Sequence, residues 1–162
     1  MNIAALIAGH LLDVYAGQNW TEVNLKSTLE DLTFEEASRI TPASSNTIAG
    51  LVNHLAFWNR VMAMRSRGEK VEIPESNGFD NSPLANEDEW QSLKKDCFTS
   101  GKVLAEVISK LSDERLQQAI LPGYPSAYKS LQGAVEHVHY HLGQIVILKQ
   151  LLRATSEHIV TT

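Results

Sequence analysis

Apolar residues recur every three to four positions along four separate segments of the chain, and this spacing restricts the possible folds more than any other feature. It is the period of an α-helix that buries one face. The predicted helices span about 2–16, 47–67, 87–111 and 130–153. In the first helix the apolar stripe consists of Ile3, Leu6, Ile7, His10, Leu11 and Val14. Four such helices bury their faces against one another, so the pattern predicts an all-α fold, a four-helix bundle.

The segments between these helices are rich in turn-forming and capping residues. The stretch "AGQNW" predicts a break in which Trp20 packs at a kink, before helix resumes through "TEVNLKSTLEDL". Residues 33–36, "TFEE", have the spacing of a capping box and predict a short extra turn. Ser45 or Asn46 is the predicted N-cap of the second long helix.

Two longer connections complete the predicted bundle. Residues 67–86 contain two prolines, two glycines and many polar side chains, a composition typical of a functional cover or a mobile link. Within this segment "KVEIP", residues 70–74, is the only strand candidate of the chain. The second connection is 121–130, "LPGYPSAYKS", and Ser130 is the predicted cap of the last helix.

Length and charge restrict the class of protein. The 162 residues suit one domain, taken as 1–162, with a single core. A net charge of −5 argues against nucleic-acid binding, which usually needs a basic face. No apolar run approaches the roughly 20 residues of a membrane span, and the amino terminus lacks the basic start of a signal peptide. The single cysteine, Cys97, excludes an intramolecular disulfide, so the expected location is the cytoplasm.

The stretch "EHVHYHLGQI" places three histidines within five positions of the last predicted helix. Each residue of an α-helix turns by about 100°, so His141 lies about 40° round from His137. Both belong to the apolar sector that also contains Ala134 and Val138, and both are therefore predicted to face the core. His139 lies about 200° away, which predicts a position at solvent or in a subunit contact.

A buried pair of imidazoles one turn apart is poorly explained by packing alone. Each ring has two nitrogens that need hydrogen-bond partners, and an unmade bond costs roughly 1–3 kcal/mol. Neutral imidazoles at positions i and i+4 can instead bind one divalent cation from a single helix face. His54 in "GLVNHLAFWNRV" faces inward with Leu51 and Trp58 and is the predicted third ligand. His10, on the stripe of the first helix, is the reserve candidate.

Two other metal architectures do not fit the sequence. Glu136 and His139 have the Glu-x-x-His spacing of di-iron bundles, but neither His10 nor His54 has a glutamate three residues before it to supply the second pair. The metalloprotease pattern His-Glu-x-x-His is absent because valine, not glutamate, follows His137. The sequence therefore contains no general base of the metalloprotease kind.

Three histidine ligands would leave open positions on the metal, as in catalytic sites. Gln144 is a candidate for orienting a ligand or bound water, and Asn53 is a weaker candidate for the same role. The alternative for each is a core amide bonded to a neighbouring helix. Residues 67–86 fit either a cover over the entrance or a plain surface loop. No residue beyond the ligands is identified as catalytic.

The pattern "NTIAGLVNHLAFW" followed by "LQGAVEHVHYHLGQIVILKQLL" resembles the DinB/YfiT-like family of four-helix-bundle metalloproteins, over essentially the whole chain. The resemblance implies that His54, His137 and His141 bind a divalent metal, nickel or zinc. It also implies a homodimer. In the last helix Leu142 and Val146 are assigned to the outward apolar face, where they fit either a subunit contact or packing against the fourth helix.

The resemblance also implies the class of activity. Relatives include metal-dependent thiol transferases, which use bacillithiol, mycothiol or glutathione-type cosubstrates, and a maleylpyruvate isomerase of the same design. The leading hypothesis is therefore a metal-dependent thiol S-transferase with a small-molecule substrate. A metal-dependent hydrolase and a non-catalytic metal-binding interaction bundle remain as alternatives.

Overall fold

The computed structural model describes residues 2–79 and 83–160, with side chains described up to residue 154. These residues form seven α-helices, which are α1 Ile3–Ala16, α2 Leu25–Leu29, α3 Phe34–Ser38, α4 Ile48–Ser66, α5 Glu87–Ser109, α6 Asp113–Gln117 and α7 Ala127–Val160. The four long helices are α1, α4, α5 and α7, and the short ones lie in the connections between them.

The long helices form a four-helix bundle, which confirms the predicted all-α fold. Around the bundle α1 packs on α5, α5 on α4, α4 on α7, and α7 back on α1. The strand candidate at 70–74 does not form a strand. This segment is irregular and ends at Pro74, which has no backbone N–H to donate. No helix within 2–79 or 83–160 is both long and apolar enough to cross a bilayer.

Side-chain caps determine where two of the long helices begin. The Thr47 hydroxyl accepts a 3.0 Å hydrogen bond from the Gly50 amide and caps α4, so the predicted caps Ser45 and Asn46 are wrong by one or two residues. Helix α7 begins at Ala127, three residues before the predicted start, because its cap is Ser126 and not Ser130; the Ser126 hydroxyl accepts from the Lys129 amide at 3.2 Å. In both cases the cap is the hydroxyl of the residue directly before the first helical residue.

The two tryptophans outside α4 have opposite environments. Trp90 is completely buried, and its indole N–H donates to the Leu32 carbonyl at 2.8 Å. Trp20 is 98% exposed, so its predicted packing at the kink is wrong. The turn after α1 is held by Asn19 instead, whose side-chain amide donates to the carbonyls of Asp13 and Val23.

The buried face of α1 is rotated from the predicted stripe. Its buried residues are Ala4, Ile7, Ala8, Leu11, Val14 and Tyr15. His10 is exposed, so its predicted inward orientation is wrong, and its ring lies 5.9 Å from that of half-buried His139. In α7 Leu142 is buried in the chain's own core and Val146 packs against that core, so of the two alternatives for these residues the structure shows packing within the chain.

An ion-pair network ties the α2–α3 connection to α7. Asp31 pairs with Lys149 and with Arg153, and Arg153 also pairs with Glu36 at 3.1 Å. Hydrogen bonds from Lys149 and then Arg153 hold the pKa of Asp31 well below its ordinary value of 3.8. A lowered carboxyl pKa stabilises the folded state above the unfolded pKa, and this contribution is lost as the pH falls.

Replacing Asp31 with Asn should therefore lower the free energy of unfolding by about 0.2–1 kcal/mol at pH 7, the range of exposed ion pairs. The deficit should shrink as the pH falls below 3.8. The matched control is Glu30→Gln, the same change of charge on the adjacent residue. Urea unfolding at pH 7 and pH 2.5 measures both variants, and an equal deficit at the two pH values would contradict the assignment.

Candidate metal centre

The side chains of His54, His137 and His141 converge in the bundle interior. His54 comes from the middle of α4, and the other two lie one turn apart on α7. The Nε2 atom of His137 lies 3.0 Å from Nε2 of His54 and 3.0 Å from Nε2 of His141. One ligand atom from each residue lies within 4.8 Å of the others. The structure thus brings together the three histidines that were selected as ligands.

Hydrogen bonds to the outer nitrogens determine the tautomer of two of these rings. Nδ1 of His54 lies 2.7 Å from the Asn77 carbonyl oxygen, and Nδ1 of His141 lies 2.6 Å from Oε1 of Gln144. Because a carbonyl or amide oxygen can only accept, each Nδ1 must carry the proton and donate. The Nε2 atoms of His54 and His141 therefore present lone pairs in the neutral rings.

The three inner nitrogens are mismatched as hydrogen-bonding groups. Both lone pairs point to Nε2 of His137, which carries at most one proton and can satisfy only one of them. A divalent cation would satisfy all three nitrogens at once. Metal–nitrogen bonds of about 2.1 Å at angles of about 90–110° separate ligand nitrogens by about 3.0–3.4 Å. The two 3.0 Å separations lie at the lower end of that range, and all three ligand atoms lie within 4.8 Å of one another, a cluster that could hold a metal ion.

Burial keeps the three imidazoles in the neutral form that binds metals. It is the main reason why the pKa values of His54, His137 and His141 lie below 6.5. Positive charge on His141, and then on His54, opposes protonation of His137 further and brings its pKa to about 3. Mutual repulsion therefore disfavours a protonated cluster, whereas shared coordination needs no proton.

Part of the 67–86 connection lies directly on the cluster. The ring of Phe79 stacks on His54 with centroids 4.1 Å apart and planes 14° apart. The Asn53 side-chain amide donates to the Gly78 carbonyl at 2.9 Å and so fixes the loop beside Asn77. Asn77 has φ +52°, a left-handed conformation that asparagine tolerates better than most residues. This turn directs the Asn77 carbonyl to His54.

A cavity of about 290 Å³ adjoins the cluster between α4 and α7. Its lining residues are His54, Trp58, Asn59, Met62, Asn77, Leu104, Ser130, Gly133, Ala134 and His137. The wall from α7 has small side chains at Gly133 and Ala134, which leaves room that a larger residue would fill. The cavity thus reaches two of the three candidate ligands and has a mainly apolar wall.

The other predicted site residues differ in where they lie relative to the histidine cluster. Gln144 holds His141 and is held in turn by the Tyr140 hydroxyl, to which its amide donates at 3.2 Å. Asn53 contacts the loop and not a candidate ligand. His10 lies outside the cluster. Sequence reasoning missed Asn77 as the partner of His54; the Asn-Gly pair signals a turn but not what the turn contacts.

Gly78 is required at its position for two reasons. Its φ is +83°, and a Cβ atom there would lie 2.8 Å from the Phe57 ring. Gly78→Ala should therefore lower the free energy of unfolding by more than the roughly 1–2 kcal/mol that a non-glycine residue in the left-handed conformation costs. The same change should weaken Zn²⁺ binding because it displaces Asn77. Gly68→Ala is the control, with φ +87° but open space around its Cβ. Urea unfolding and zinc titration test this, and equal effects of the two variants would contradict it.

Comparison with known proteins agrees with this geometry. The model of the DinB superfamily matches residues 19–145, a span that contains all three histidines together with Asn77 and Gln144. No curated protein matches the chain. The family match covers most of the sequence and all of the candidate metal centre, and the chain therefore belongs to the DinB superfamily.

Proposed function

We propose that this protein is a divalent-metal-dependent enzyme that transfers a low-molecular-weight thiol to a small electrophile, with His54, His137 and His141 as ligands of nickel or zinc. The observation that carries the proposal is the cavity that reaches His54 and His137. Three histidine ligands with an accessible open side are typical of catalytic metal sites, whereas structural sites are closed by four protein ligands. Imidazole ligands suit both metals.

A divalent cation bound there would act as a Lewis acid and lower the pKa of a bound thiol or water toward neutrality. The protein's own residues hold the site in place. Asn77 and Gln144 fix two imidazoles, and Phe79 covers the outer face of His54. None of the described residues that line the cavity is an aspartate, glutamate or lysine, so the lining supplies no carboxylate or amine base.

The proposed reaction balances without an external oxidant or reductant. The thiol sulfur forms a bond to an electrophilic carbon of the substrate. The bond from that carbon to its leaving group breaks, and the leaving group takes the electron pair. The proton of the thiol passes to solvent water. Trp58, whose ring centroid lies 6.3 Å from that of His54, forms part of the cavity wall beside the proposed reacting groups.

The metal content of the purified protein tests the ligand set. Protein isolated without chelator should hold about one equivalent of metal, and His137→Ala should hold less than about one tenth, because the remaining two imidazoles come from separate helices. His139→Ala is the matched control, since it removes an imidazole from the same helix outside the cluster. Elemental analysis measures the metal content of the wild type and the two variants, and equal metal content in all three proteins would contradict the proposal.

The requirement for thiol tests the reaction class. Conjugation of monochlorobimane should require added bacillithiol, mycothiol or glutathione, should stop after chelation, and should be lost in His137→Ala but kept in His139→Ala. Fluorescence of the product measures the rate. Thiol-independent cleavage of 4-nitrophenyl acetate with the same metal dependence would replace the transferase with a hydrolase. A metal-dependent rise in Tm without turnover would replace it with a non-catalytic metal-binding bundle.

A further inference from the structure

Asn59 is an almost fully buried amide in the wall of the cavity beside the histidine cluster. It belongs to α4, is 3% exposed, and is one of the residues that line the cavity. Its amide nitrogen donates to the Tyr15 hydroxyl at 2.7 Å and to the Ser100 hydroxyl at 3.0 Å. These two bonds hold the nitrogen against α1 and α5, and the oxygen lies on the other branch of the planar amide.

The orientation of this amide follows from its partners. The Ser100 hydroxyl uses its one proton to donate to the Cys97 carbonyl at 2.9 Å, so it can only accept from Asn59. The branch of the amide that faces Ser100 is therefore the nitrogen. No described residue donates a hydrogen bond to the oxygen.

The unpaired oxygen of Asn59 is accessible from the cavity. It is not one of the described residues' polar atoms that lack both a partner and accessible surface. Because Asn59 lines the cavity and is otherwise enclosed by the core, the accessible surface of its oxygen opens to the cavity. A buried acceptor without a partner is unfavourable, so a donor bound at this oxygen would be stabilised.

The rest of the lining is uncharged and mainly apolar. Trp58 and Met62 supply it from α4, Leu104 from α5, and Ala134 from α7. The described lining residues include no lysine, arginine, aspartate or glutamate. A carboxylate beside Asn59 would lose hydration without a cation to pair with, and it would face the lone pairs of the amide oxygen. This part of the cavity therefore favours a neutral molecule that carries a donor.

The dimensions of the cavity restrict the size of that molecule. Its volume of about 290 Å³ exceeds the roughly 150 Å³ of a cavity that holds benzene. At about 1.5 Å per residue, Asn59 lies about 7.5 Å along α4 from His54. A molecule of one ring with a short substituent is of this size. Thiol cosubstrates of the peptide or sugar type are larger and polar along their length, so the cavity fits the electrophile better than the thiol.

We propose that the cavity binds a neutral molecule of about one ring, whose hydroxyl or N–H group donates a hydrogen bond to the side-chain oxygen of Asn59. The apolar body packs against Met62 and Ala134, and the end opposite the donor is directed toward His54. Asn59 is thus a specificity-determining residue, because it selects molecules with a donor over molecules of the same shape without one. Such binding deepens the proposed function and rests on it for the reaction, although the binding step needs no metal.

Two ligands that differ in the donor test this selection. 4-Methylphenol carries a hydroxyl where 4-fluorotoluene, of nearly the same shape, carries fluorine. The full-length protein, as purified and again after chelation, is titrated with each ligand at pH 7 and followed by NMR. The wild type should bind 4-methylphenol at least about fivefold more tightly, within the range of one neutral hydrogen bond. Chelation should leave this ratio unchanged, so a failure of metal binding or of turnover leaves the readout intact.

Variants identify the acceptor, because nitrogens of the histidine cluster can also accept from a hydroxyl. Asn59→Leu and Asn59→Met remove the oxygen and should bind the two ligands about equally. Ser100→Ala is the matched control, since it removes a partner of the Asn59 nitrogen but keeps the oxygen, and it should retain the preference. Ala134→Leu fills the cavity and should weaken the binding of both ligands at least about fivefold.

A measurement on the wild type keeps the test valid if a variant does not fold, which circular dichroism detects. The side-chain carbonyl carbon of Asn59 should shift in the ¹³C spectrum at least about twice as far with 4-methylphenol as with 4-fluorotoluene. Binding of neither ligand, equal binding of both, or equal shifts of this resonance in the wild type would overturn the proposal. So would a preference that survives in folded Asn59→Leu and Asn59→Met.

Discussion

Two hydrogen bonds on the outer sides of the histidine cluster determine the chemistry of the bundle interior. Asn77 and Gln144 accept the Nδ1 protons of His54 and His141, so the Nε2 atoms of both rings present lone pairs to His137. Within the chain this arrangement cannot satisfy every nitrogen, whereas a shared cation can. Burial lowers the pKa values of all three imidazoles. Adding a proton to satisfy one of the lone pairs therefore costs free energy.

The bundle supports this cluster from opposite sides. On one side a loop held by Asn53 brings Gly78, Asn77 and Phe79 against the α4 histidine, at the cost of left-handed backbone at two consecutive residues. On the other side small residues of α7 leave a groove where larger ones would have closed the helix interface. A fixed histidine cluster beside an open, mainly apolar cavity is the arrangement that the proposed metal-dependent reaction on a small molecule would require.

Helical periodicity explains why much of this site was predictable from the sequence. His137 and His141 lie one turn apart on an apolar face, and His54 shares the inward face of its helix, so three orientations followed from the 3.6-residue repeat.

The same reasoning failed for His10, because a stripe assigned from spacing alone can be rotated by one position, enough to expose its edge. It also failed for Trp20, whose position depends on hydrogen bonds made by Asn19 within an irregular turn. The contact of Asn77 with His54 arises from a loop conformation that no local sequence pattern contains.

X-ray absorption spectroscopy of the protein loaded with one equivalent of Zn²⁺ or Ni²⁺ tests the central claim most directly. If His54, His137 and His141 share the ion, the spectrum should contain the scattering of about three imidazole rings, with nitrogen at roughly 2.0–2.1 Å for zinc. In His137→Ala the imidazole contribution should fall, while His139→Ala should match the wild type. A spectrum dominated by sulfur or by water oxygen, or one that is unchanged in His137→Ala, would contradict a common cation at the three rings.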